Sequence, residues 1–149
     1  MTSPIIDSAA ALAARAHGGQ VDKAGDPYIG HPHRVAQHLR TGQSVPDYVV
    51  AAALLHDVVE DTDVTVADID REFGPDVAAL VAALTHRPFE TRADYLTRVV
   101  AAGPYAVAIK RADVADNSDE GRLSRLDEAT AERLRGKYAA TLAALDTPE

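Results

Sequence analysis

The 149-residue chain carries 23 acidic against 15 basic residues, a formal net charge of −8, with 46% hydrophobic and 5% aromatic residues. That length suits one domain with its own core, residues 1–149, and is short for two; an acidic chain without a Lys/Arg block lacks the basic surface that binding to DNA, RNA or an anionic membrane requires. The absence of cysteine excludes disulfides and thiolate chemistry, and with no charged leader or apolar run approaching ~18 residues a cytoplasmic protein is expected.

In chain order, Ser3-Pro4 or Asp7 can cap a first helix, since Pro suits the first helical position, and the Ala-rich run to His17 stops at Gly18-Gly19. The following QVDKAGDPYIGHP reads as an ordered loop long enough to line a site. Pro32 begins a second helix through Val35, Ala36 and Leu39 to Arg40, with Gly42 as its stop. Ser44 and Pro46 start a third helix, which is expected to run unbroken through AAALLHDVVED despite its Val content, because its length favours helix over strand. Thr65 and Asp68 form a capping-box pattern for a short fourth helix ending at Phe73-Gly74. Asp76–Thr85, with Val77, Leu80, Val81 and Leu84 at helical spacing, is a fifth. After a loop at 86–90, Thr91 and Asp94 repeat the capping pattern for a helix that ends at Gly103-Pro104. Tyr105–Asn117 is apolar nearly all round, which implies burial; its polar exceptions Lys110, Asp113 and Asn117 fall within about 60° of one another on a helical wheel. A polar loop leads to a last amphipathic helix, Asp127–Leu145, weakest at Gly136. The expectation is an all-α bundle of about seven to eight helices.

The chemistry concentrates where the third helix turns polar. On one helix, His56→Glu60 and Asp57→Asp61 form neighbouring i,i+4 rows, a patch of carboxylates that a bound cation would relieve; acidic groups at a helix C-terminus otherwise oppose its dipole. His31, His56, Asp57 and Asp113 lie on different elements and are candidate ligands for one divalent ion of borderline hardness, Mn²⁺ or Fe²⁺, with Mg²⁺ and Zn²⁺ as alternatives. Four protein ligands on a six-coordinate ion leave room for water and substrate. Asp113 has a second reading, a buried pair with Lys110 that needs no metal. Tyr28 and Ile29 either wall a pocket or pack beneath the loop, and His17 either lines the pocket or ends its helix.

The segments HGGQVDKAGDPYIGHP, LLHDVVEDT, FGPDVAALVAALTH and KRADVADN, in that order, resemble the hydrolase half of the RelA/SpoT alarmone enzymes and the stand-alone small alarmone hydrolases, within the HD phosphohydrolase superfamily. The resemblance runs from about Ala9 to Asn117. It implies an HD-domain helical bundle that removes the 3′-pyrophosphate from (p)ppGpp with Mn²⁺. It assigns His31, His56, Asp57 and Asp113 to the metal, Glu60 and Asp61 to positioning and deprotonating the attacking water, and Asn117 and Lys23 to substrate. Asp22 stands where many relatives have Arg, and 87–107 and SDEGRLSRL match poorly, which leaves another nucleotide as substrate, a ppApp-type alarmone or the 2′-phosphate of NADPH. A nucleotide-binding module without turnover is a further alternative, which Glu60 and Asp61 disfavour.

Overall fold

The computed structural model describes residues 3–146. It has the expected all-α architecture: α1 (Pro4–Ala16), α2 (Gly30–Gly42), α3 (Asp47–Leu55), α4 (Val58–Asp61), α5 (Val66–Phe73), α6 (Pro75–Leu84), α7 (Arg92–Ala101), α8 (Pro104–Asn117), α9 (Glu120–Leu123) and α10 (Glu128–Leu145). Among the described residues no helix is long and apolar enough to cross a membrane.

Because α3 is apolar on every side, it is buried on every side, from Val49 to Leu55. It forms the axis of the bundle, with α1, α2 and α6 packed around it. Ala9, Ala13, Ala51, Ala52, Ala53 and Ala106 are all fully buried, so helix backbones approach closely and the core is filled by small side chains. α8 packs on α2 and carries α7 and α10 against its other sides. A smaller cluster of Leu123, Ala131 and Leu134, flanked by Leu126 and Tyr138, joins α9 to α10.

Local signals account for most boundaries. Thr65 and Asp68 form the reciprocal capping box at the start of α5, and the Thr91 side chain accepts from the Asp94 N–H at the start of α7. Gly74-Pro75 and Gly103-Pro104 make the corners into α6 and α8. Each glycine has a φ in the left-handed region (93° and 110°), where a side chain would be strained, and each proline sits where no intrahelical N–H is needed. Gly136 lies inside an unbroken α10.

Three expectations are corrected. The third helix is broken at His56-Asp57 into α3 and α4. The Ala53 carbonyl accepts both the His56 N–H (3.4 Å) and the His56 ring Nδ1–H (2.7 Å), so the acceptor that a continuing helix offers to residue 57 is already engaged. The polar loop after α8 contains a one-turn helix, α9, whose start is capped by the Asp119 side chain on the Arg122 N–H and whose Leu123 is buried. α2 begins at Gly30, two residues before Pro32.

Arg98 of α7 braces the end of α6. Its guanidinium donates to the Thr85 carbonyl (2.9 Å) and to both carboxylate oxygens of Glu90 (2.6 and 2.8 Å), a cation at a helix C-terminus where free carbonyls need donors. These bonds hold the Glu90 carboxyl down at about 2. Since that value lies below the ordinary glutamate range near 4.3, the pair stabilises the fold at neutral pH and its contribution is lost as pH falls from about 4.5 toward 2. Arg98→Gln should therefore lower the urea midpoint at pH 7, and the gap between variant and wild type should close as pH falls toward 2.5; a gap independent of pH would show that the Glu90 pair is not what Arg98 contributes.

Candidate active site

The loop before α2 is tied at several points. Val21 and Pro27 form an isolated antiparallel bridge, and the Asp22 Oδ1 accepts from the N–H groups of Ala24 (2.9 Å) and Asp26 (3.0 Å). From the far side, Arg125 donates to Asp26 (2.7 Å) and to the Ala24 carbonyl (3.0 Å). At the loop's end Tyr28 donates from its hydroxyl to the Asp57 carboxylate, and His31, the second residue of α2, is buried.

His31, His56, Asp57 and Asp113 converge so that one donor atom from each lies within 4.8 Å of the others. His31 Nε2 is 2.9 Å from Asp113 Oδ1 and 3.6 Å from Asp57 Oδ2. His56 Nε2 is 3.1 Å from Asp57 Oδ2 and 3.3 Å from Asp113 Oδ1. His56 and Asp57 stand at the break between α3 and α4, and both side chains reach the cluster from that corner. On His56 the Nδ1–H is committed to the Ala53 carbonyl, so a neutral ring presents its Nε2 lone pair to the cluster. Two imidazoles with that orientation and two carboxylates fit a divalent cation.

The electrostatics agree. Burial alone would discharge the carboxylates, yet His56 holds Asp57 below its ordinary value, and Lys110 with the two histidines holds Asp113 well below its own. Burial would likewise lower the histidines, but Asp113 and Asp116 raise His31, while Asp57 and Asp113 raise His56 well above the usual imidazole range. The buried anions thus call for positive charge, and a bound cation would displace the ring protons.

Asp113 faces two ways: Oδ1 is turned to the histidines, while Oδ2 accepts from Lys110 Nζ at 2.9 Å, the buried pair expected from the sequence. Asn117 Nδ2 donates to Asp113 Oδ1 (3.1 Å), so the three polar exceptions of α8 do share a face. Glu60 and Asp61 separate from His56. They are exposed on α4 and line a groove that also touches Asp57 and Asp113, and Glu60 Oε1 accepts from the His86 N–H at 2.7 Å. Although the Asp61 side chain reaches solvent, its carboxyl is pushed up to about 6 by the partial loss of water on the side facing the cluster and by the Asp57 and Glu60 carboxylates. His17 is buried with its ring 4.8 Å from that of Tyr28. Its Nδ1 is 3.1 Å from Gln20 Oε1, and its Nε2 has no partner among the described residues.

Beside the cluster lies a cavity of about 340 Å³, into which Lys23, Arg34, Arg92, Lys110, Arg122 and Lys137 extend over an apolar floor that includes Leu123 and Leu134. Arg92, Lys110, Asp113, Asn117 and Lys137 line both this cavity and the groove of Glu60 and Asp61, so the cluster sits at their junction. Lys137 is lowered by burial first and then by the neighbouring cations Arg92, Lys23 and Lys110.

The HD domain pattern matches residues 9–95, and the chain belongs to the HD domain family. Over 80 residues it is 48% identical to the human guanosine-3′,5′-bis(diphosphate) 3′-pyrophosphohydrolase MESH1, covering 52% of this chain and 45% of that one. It is 44% identical over 84 residues to the Vibrio cholerae enzyme of the same name and 42% over 81 residues to the GTP pyrophosphokinase rsh of Brucella ovis, matches that span 12% and 11% of those longer proteins. The solved structure of a metazoan ortholog of SpoT that hydrolyzes ppGpp superposes with a TM-score of 0.85 at 26% identity, covering 98% of this chain and 88% of that one.

Sequence reasoning missed Asp116, Arg92, Arg122 and Lys137. Asp116 carried a usable signal, an acid one turn beyond Asp113 on a helix otherwise read as buried. The others stand on exposed helices or in the polar loop, where a basic residue is unremarkable until the chain folds.

Asp61 supplies a pH-dependent prediction for chelator-treated protein. Its folded value near 6 exceeds the ordinary ~3.9, so charging it destabilises the native state above about pH 6 and costs nothing below about pH 4. Asp61→Asn should raise the melting temperature at pH 8, with the advantage fading between pH 6 and 4; an unchanged melting temperature at pH 8 would contradict the assigned environment.

Proposed function

We propose that the chain is a single-domain, metal-dependent phosphohydrolase that removes the 3′-pyrophosphate from (p)ppGpp-like alarmones, acting on a free nucleotide in the cytoplasm rather than on DNA, RNA or a membrane. The observation that carries this reading is the convergence of His31, His56, Asp57 and Asp113 at the mouth of a cation-lined cavity in a chain of net charge −8. It is supported by the names of the relatives and by the likeness to the ppGpp-hydrolyzing SpoT ortholog.

His31, His56, Asp57 and Asp113 would hold one divalent ion, for which we propose Mn²⁺. When bound, such an ion supplies Lewis acidity and lowers the pKa of water toward ~7. Glu60 and Asp61, open to the groove, orient the attacking water and accept its proton. The water oxygen bonds to the phosphorus next to O3′, the phosphorus–O3′ bond breaks, pyrophosphate leaves and O3′ takes up a proton. Lys23, Lys110 and Asn117 contact the phosphate oxygens, and together with Arg92 and Lys137 they offset charge there, where stabilisation of phosphoryl transfer is concentrated.

Asp22 favours keeping a second substrate in view. Its carboxylate is spent on the N–H groups of its own loop and so is not free to read a guanine, which leaves a ppApp-type alarmone or the 2′-phosphate of NADPH as the alternative. Assays of ppGpp, pppGpp, ppApp and NADPH, each with Mn²⁺ and with EDTA, should give manganese-dependent pyrophosphate from an alarmone; orthophosphate from NADPH alone would change the substrate and keep the site. Glu60→Gln should lower kcat by about 10²–10⁴-fold with metal affinity nearly unchanged, and full activity in that variant would remove Glu60 from proton transfer.

A further inference from the structure

One turn beyond Asp113 on α8 stands a second buried carboxylate, Asp116, 2% exposed. Its Oδ2 accepts from His31 Nδ1 at 2.7 Å. Its Oδ1 accepts from Arg34 Nε at 2.7 Å and from Arg122 Nη2 at 2.9 Å, and its backbone carbonyl accepts from Arg122 as well. A buried carboxylate held by three donors, His31 and Arg34 from α2 and Arg122 from α9, is fixed in rotation, so the oxygen facing His31 cannot turn away.

We propose that Asp116 is a positioning residue of the metal centre: it holds His31 with its proton on Nδ1, aims the Nε2 lone pair at Asp57 and Asp113, and strengthens that nitrogen as a donor. The inference rests on the metal-centred reading above. A proton on Nε2 would point into the cluster and block ligation there. A carboxylate on Nδ1–H prevents this and pushes electron density through the ring, as outer partners of metal-bound histidines do. The two histidines are served differently. His56 donates to the neutral Ala53 carbonyl, whereas His31 donates to a full negative charge, which makes His31 the stronger donor of the pair. Arg34 and Arg122 offset the cost of burying that charge, and Gly30 leaves the room: a Cβ there would lie 2.6 Å from Arg34 Nη1.

The test is calorimetric titration of metal-stripped wild type, Asp116→Asn and Asp116→Ala with Zn²⁺ and Mn²⁺, joined to ¹⁵N ring spectra of the Zn²⁺-loaded proteins. Wild type should bind one ion and show the His31 ring proton on Nδ1. Asp116→Asn, which keeps the shape and loses the charge, should bind about 10–100-fold more weakly, and Asp116→Ala at least as weakly. If Asp116→Ala fails to fold, Asp116→Asn decides. A purely structural Asp116 would shift the melting temperature while leaving affinity and ring proton unchanged, and Asp116→Asn binding within threefold of wild type would overturn the inference. Wild type that takes up neither ion would overturn the metal-centred reading itself, and the positioning role with it.

Discussion

The carboxylate of Asp113, buried in α8 and shared among His31, His56, Lys110 and Asn117, is the contact on which the rest of the structure depends. One oxygen faces both imidazoles and the Asn117 amide, while the other carries the Lys110 ammonium. A charge so far from water is tolerable only when every lone pair is engaged, so α2, the α3–α4 corner and α8 must meet within narrow limits. The small-residue core between those helices serves the same end, because alanine-lined contacts let the backbones come close enough for short side chains such as Asp57 and Asp113 to reach one point.

Charge is organised on two scales. The whole chain is acidic, which suits solubility and disfavours nucleic acid, while the cavity beside the cluster gathers six cations from a loop and helices far apart in sequence. Two of them, Arg34 and Arg122, are engaged by Asp116 and face the pocket as part of its wall. Lys23, Arg92 and Lys137 carry the more available charge. The pocket thus divides into a fixed rim beside the His/Asp cluster and a freer set of cations away from it.

The fold class and most helix boundaries were legible because they rest on local chemistry: the capping box at Thr65, the Gly-Pro corners, the apolar α3. Four ligand candidates and the shared face of Lys110, Asp113 and Asn117 were legible too, since α8 is regular and its polar residues stand out. The break at His56-Asp57 was not, because it depends on the His56 ring bonding to the Ala53 carbonyl, a side-chain competition that no periodicity records. α9 hid inside a polar stretch, and with it the reach of Arg122 and Arg125. Arg92 and Lys137 become site residues only through the docking of α7 and α10 on α8.

The hydrogen bonds that complete the cluster join residues 57, 82 and 85 positions apart, and the Arg125 clasp on the loop spans 99. Closing such long loops costs entropy that must be met before the contacts reward it, so α1 to α7 can collapse on α3 while His31, His56 and Asp57 remain without the acid that unites them. During synthesis the site stays incomplete until α8 has emerged, and the pocket rim until α9 follows. The four candidate ligands therefore come together late in folding, and a chain cut short before α8 carries only His31, His56 and Asp57 of that set.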